Sequence, residues 1–195
     1  MHHPVPRIPA QSAASPQYRL AIESRLTVEL AMVVTGSRRR ALRDGDRQVD
    51  TAHLLHSLVE TDPAVRAAFT GEAQVSRVLG YLVQRSIGYG LRWRKSAAPS
   101  SSSASSSPAA ASASSTEVAR GPLAAGPGGW SPAAAAAMDG ALARAARRGD
   151  LRAAGLDVLA VLVADRDCRA VEVLRRAGVD PDVLAARIAE LSQQV

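Results

Sequence analysis

The sequence predicts an all-α protein built from two pseudo-symmetric four-helix repeats that pack together and are joined by a long disordered linker. Three observations predict this class. Residues 26–59 and 130–163 align without a gap at a constant offset of 104, with ten identities in 34 positions. The identities fall in register: Gly45-Asp46 returns as Gly149-Asp150, and Leu55, Leu58 and Val59 return as Leu159, Leu162 and Val163. Apolar residues also follow helical spacing, with no convincing strand alternation. Finally, residues 18–95 and 130–195 each lie near the lower size at which one core suffices, so the halves are expected to share one. A duplicated unit that needs its twin to bury a core reads as a binding scaffold before it reads as an enzyme.

The elements follow in order. Residues 1–17 carry Pro, Ser and Ala without periodicity and read as a disordered tail. In the first repeat (18–95), Thr27 is the expected N-cap of a helix that stops at Gly45. A second helix covers Asp50–Glu60, with Leu54, Leu55, Leu58 and Val59 forming its buried face. A short helix starts at Asp62-Pro63, and a fourth spans about Gln74–Arg85. Residues 96–129 are rich in Ser, Ala, Pro and Gly and read as the linker. The second repeat (130–195) opens with Ser131 as cap and Pro132 in the first turn, where its missing N–H costs little. Helices over 154–164, 167–177 and 182–193 complete it. Gly36 and Gly140 occupy equivalent places mid-helix, which suggests a close helix crossing in both units, against a glycine cost of ~1 kcal/mol relative to alanine.

Composition narrows the function. The formal net charge is +6, and 23 of the 24 basic residues are arginine. Residues 18–95 carry 13 Arg and Lys against 8 Asp and Glu, whereas 130–195 carry nine of each. No apolar run resembles a signal peptide or a membrane span, so a soluble cytoplasmic protein without membrane attachment is expected. One cysteine, Cys168, leaves no internal disulfide and no multi-cysteine metal site. The only lysine, Lys95, lies outside any Gly-rich loop, so the sequence shows no P-loop and no ATPase module. No nucleophile with a base and no acid/base pair is legible; no enzyme, cofactor or metal is expected.

The arrangement resembles the Clp N-terminal domain, the double Clp repeat at the front of the Clp/AAA+ unfoldases, in a stand-alone form without the ATPase. Leu26-Thr27 and Trp130-Ser131 match the F-T opening of each family repeat. Val49-Asp50-Thr51-Ala52-His53-Leu54-Leu55 matches I-G-T-E-H-L-L, and 153–159 (AAGLDVL) is a worn copy of it. Ala177-Gly178-Val179-Asp180 matches the closing L-G-V-D. The resemblance implies a docking module that receives client proteins, adaptors or peptides for Clp ATPase and protease components. Relatives that read phosphoarginine use the Glu of T-E-H in each repeat. Here Ala52 and Leu156 stand at those positions, so binding in that manner is not expected.

The candidate peptide- or protein-binding residues are therefore Leu26, Thr27, Ala52, Trp130, Ser131 and Leu156, with Tyr89 and Trp93 from an aromatic- and Arg-rich stretch beyond the fourth helix. His53, Gly36 and Gly140 are assigned structural roles. His53 and His56 stand three apart on one helix, a spacing metals accept, but two ligands do not make a site. Arg38–Arg40, Arg43, Arg47, Arg92, Arg94 and Lys95 could meet phosphates, which makes a nucleic-acid-associated regulator the alternative reading. Self-association through the linker is a further expectation.

Overall fold

The computed structural model describes residues 24–96 and 129–193, with the backbone alone for 87–96. The expected tail (1–17) and nearly all of the expected linker lie outside the described residues. The described residues are all-α apart from two very short strands. Helix α1 (Val28–Asp44) begins where Thr27 Oγ1 accepts the Leu30 N–H, and it ends at Gly45 in the left-handed region at φ 75°. Its counterpart α5 (Pro132–Arg148) begins at the Ser131 cap and ends at Gly149, φ 86°. Glycine takes this conformation without the Cβ clash that other residues meet, so α1 stops just before Gln48–Val49, which pairs as a short strand, and α5 stops just before Ala153, which bridges to Leu26.

After α1 come β1 (Gln48–Val49), α2 (Thr51–Thr61), α3 (Pro63–Ala67) and α4 (Glu72–Ser96). The second half supplies β2 (Gly129–Trp130), α5, α6 (Gly155–Ala164), α7 (Arg169–Arg176) and α8 (Pro181–Ser192). Two findings differ from the sequence reading. The two strands were not expected; they pair parallel, Gln48 with Gly129 and Val49 with Trp130. Helix α4 also runs about eleven residues past Arg85. Between Arg85 and Ser96 there is no proline, and Gly88 and Gly90 alone cost ~1 kcal/mol each without supplying a stop. Among the described residues, no helix is long and apolar enough to cross a membrane.

Helices α2 and α6 sit at the centre. Leu54, Leu55, Leu58 and Val59 are buried beside Val158, Leu159, Leu162 and Val163 in one continuous core drawn from both halves. The crossings that glycine was expected to permit are tight. A Cβ on Gly36 would lie 3.1 Å from Ser57 Oγ, and one on Gly140 would lie 3.0 Å from both Val161 methyls.

The halves meet along a seam that follows the offset of 104. Val49 O accepts the Ser131 N–H at 2.8 Å, and Ala153 O accepts the Thr27 N–H at 3.0 Å. Thr27 and Ser131 are equivalent, as are Val49 and Ala153, so the two links are the same bond made twice. Each unit thus pairs its opening residue with the segment that precedes the central helix of the other. Gly155, the first residue of α6, packs so close to α3's N-cap that a Cβ would fall 2.0 Å from Asp62 Oδ2 and 3.1 Å from Leu58 Cδ2. Asp62 cannot swing away freely, because its Oδ1 accepts the Ala64 and Val65 N–H groups. Gly155→Ala is expected to destabilise the protein by about 1–3 kcal/mol, through loss of that cap and overpacking, read as a lower urea midpoint with an unchanged slope.

Candidate functional site

The seam places the N-termini of α2, α5 and α7 around one cleft. A cavity of about 490 Å³ opens there, lined among others by Arg47, Asp50, Thr51, Ser131, Cys168 and Arg169. The sequence dictates each helix start. Asp50 caps α2, its Oδ1 accepting the Ala52 and His53 N–H groups at 2.9 and 3.0 Å. Ser131 caps α5 by accepting the Ala134 N–H at 3.2 Å. Helix α7 starts against α2 itself: its Ala170 N–H donates to Thr51 Oγ1 at 3.2 Å.

Asp50 joins the halves. Its Oδ2 accepts Arg85 Nη2 of α4 at 2.6 Å and Arg169 Nη1 of α7 at 2.8 Å. Burial pushes the Asp50 carboxyl up, but the His53 ring and the Arg85 guanidinium outweigh it and hold the group well below the usual carboxylate range. His53 Nδ1 faces the Asp50 amide at 3.1 Å and Asp50 Oδ1 at 3.0 Å. The amide N–H donates to Nδ1, and the ring's second nitrogen is Nε2. That nitrogen lies 3.3 Å from Asp46 Oδ2 and 3.5 Å from Asp44 Oδ2.

Asp46, Asp50 and His53 bring one potential metal-ligating atom each within 4.8 Å of one another. Both Asp50 oxygens and His53 Nδ1 are already engaged in the bonds above, so the cluster completes itself through hydrogen bonds. Cys168, at the start of α7, is buried and hydrogen-bonds Leu162 O at 3.4 Å. Burial pushes its thiol up, and no imidazole lines the cavity with it. Carboxylates, guanidinia, hydroxyls and helix N-termini can hold a ligand there; they do not form a nucleophile with its base.

Of the residues singled out in the sequence, Ser131 lines the cavity, and Thr27 occupies the equivalent capping position at the other end of the seam. Leu26 and Trp130 are buried in the seam, with Arg38 over the Trp130 ring at 5.9 Å. Ala52 is buried below α4, where it lines a small void with Leu82 and Arg85. Leu156 is buried in α6. Tyr89 and Trp93 belong to α4, but their side chains lie outside the described residues. Sequence reasoning missed Asp50, Thr51 and Arg169. The Asp50-x-x-His53 spacing marks a helix start; the ion pair with Arg169, 119 residues away, has no local signal.

His56, on the opposite side of α2, is the group with the clearest pH consequence. Burial first, then the nearby Arg40 and Arg43, lower its pKa from 6.5 to about 4. The unfolded imidazole gains its proton near pH 6.5 and the folded one only near 4, so stability is full above 6.5 and falls between those values. The loss is at most about 3 kcal/mol, and His56→Gln is expected to flatten that limb in urea titrations across pH. Asp50→Asn keeps a capping side chain while removing both arginine pairs, and is expected to cost about 2–4 kcal/mol by the same measurement. Arg169→Gln removes only a half-exposed partner and is expected to cost about 1 kcal/mol or less.

No protein-family model matches this chain, and no curated protein does. Among solved structures it is similar to the N-terminal domain of the caseinolytic protease associated chaperone ClpD from Arabidopsis thaliana. The identity is 18% and the TM-score 0.54, over 87% of this chain and 95% of that one. The fold is Clp N-terminal-like.

Proposed function

We propose that this protein is a non-enzymatic docking module in Clp-dependent proteolysis, acting as an adaptor, a client-binding domain or a decoy that occupies ligands of a Clp ATPase. The observation that carries the reading is the seam cavity, framed by three helix N-termini and by Arg47 and Arg169 in a Clp N-terminal-like fold. Its mixed rim of guanidinia, hydroxyls and carboxylates suits a peptide backbone with polar side chains. Neither Ala52 nor Leu156 offers a carboxylate to a modified arginine, so the ligand is a protein segment read by other contacts.

The test is direct binding of the full chain to a purified Clp ATPase ring and to a permanently unfolded client, followed by fluorescence anisotropy. Binding to at least one is expected, with free phosphoarginine failing to compete. Arg47→Asp, on an exposed residue at the cavity mouth, is expected to weaken it about ten-fold. If neither the ring nor the client binds, the reading fails.

A further inference from the structure

The offset that relates the two seam links also matches Arg40 of α1 with Arg144 of α5. Arg40 is fully engaged. Its Nε donates to Ser57 Oγ at 3.3 Å, Nη1 lies 3.3 Å from His56 Nδ1, and Nη2 pairs with Glu60. These three partners stand on α2, and their counterparts on α6 are Val161, Ala160 and Ala164, which are all alkyl. Arg144 therefore finds no acceptor there. Its buried Nε makes no hydrogen bond and is held only by a long ion pair with Asp157 Oδ1 at 3.7 Å, while its two Nη groups have no partner among the described residues.

Exposure is inverted in the same way. Polar His56 and Ser57 are buried, whereas apolar Ala160 and Val161 are half-buried and Ala164 is exposed. The Arg40 side chain is 12% exposed and that of Arg144 is 32%. Arg147, exposed and three residues along α5, adds a second positive charge to this side of the helix. Arg148 is already committed to Asp157 and Asp150.

We propose that the outer face of α5 and α6 is a docking surface for a partner-protein segment that presents a carboxylate among small apolar residues. The carboxylate supplies Arg144 with what Glu60 supplies to Arg40, and the apolar residues cover Ala160, Val161 and Ala164. A nucleic-acid backbone would answer the charge alone, but this floor gives bases neither an aromatic platform nor a hydrogen-bonding partner. The inference rests on reading the chain as a docking module and concerns a face distinct from the seam cavity.

The experiment uses the ¹⁵N-labelled full chain, with the arginine Nε–H signals resolved. Two probes are titrated: an alanine-based helical peptide carrying two glutamates four residues apart, and the same peptide with glutamines. The glutamate peptide is expected to shift the Arg144 Nε–H signal and the amides of Ala160, Val161 and Ala164, binding about ten-fold more tightly than the glutamine peptide. Arg144→Gln is expected to lose about the same factor. Ala164→Glu places a carboxylate where Glu60 stands in the first half, at an exposed position that tolerates it. That variant is expected to engage Arg144 internally, slow exchange of its Nε–H and exclude the peptide while the remaining spectrum is unchanged. Equal binding of both peptides overturns the proposal, as does a response to duplex DNA in place of the peptide. A silent α5–α6 face with seam binding intact overturns it too, and leaves the docking function standing.

Discussion

The structure depends on the exchange of backbone hydrogen bonds at the seam. Thr27 and Ser131 each cap a long helix and each donate an N–H to the other half, to Ala153 O and Val49 O. A strand of two residues is far too short to persist alone. Here it is held because the residues beside it, Leu26, Val49, Trp130 and Ala153, are all buried in the shared core. The starts of α1 and α5 are therefore fixed by the partner half, and so is the separation between the helix N-termini that frame the cavity.

Upon that common backbone the halves have exchanged charges. His53 at the third position of α2 accepts the Asp50 N–H, and Asp157 at the same position of α6 accepts the Ala154 N–H at 3.0 Å. An imidazole and a carboxylate do one job. Their partners change accordingly: His53 Nε2 faces Asp44, whereas Asp157 Oδ2 accepts Nη2 of Arg148 at 2.9 Å, and residues 44 and 148 are equivalent. A count of identities scores both positions as mismatches although the interaction is kept with its polarity reversed. The Arg40 and Arg144 pair shows the opposite case, an identical residue whose surroundings have changed.

This contrast explains what was legible in the sequence. Helix caps at Thr27, Gly45, Ser131 and Gly149 were readable because they depend on neighbours within a few residues. The central helices were readable because their apolar faces repeat at helical spacing in both units. Strand pairing between Val49 and Trp130 was not, since two residues carry no periodicity and the partner lies 81 positions away. The length of α4 was not legible: the helix is expected to end near Arg85, and it continues to Ser96 with no proline to stop it. Within the candidate site, Ser131 was found as a cap before its place at the cavity was known. Asp50, Thr51 and Arg169 escaped notice because what joins them is the docking of α7 on α2.

A two-fold backbone does not impose two-fold chemistry. At the cavity, the first half contributes Arg47 and Thr51, and the second contributes Ser131, Pro132 and Ala133. The equivalent positions at the other end of the seam are Leu151, Gly155, Thr27, Val28 and Glu29. There Leu151 is 92% exposed and Val28 66%, and the third helix starts with Asp62 where α7 starts with Cys168. Burial pushes the Asp62 carboxyl up, and the nearby Glu29 adds to this. One end therefore mixes guanidinium, carboxylate and small polar groups, and the other sets exposed aliphatics beside carboxylates. The two ends differ in how much exposed apolar surface stands beside their charges, so the duplication supplies the frame and the divergence of its halves makes its ends chemically distinct.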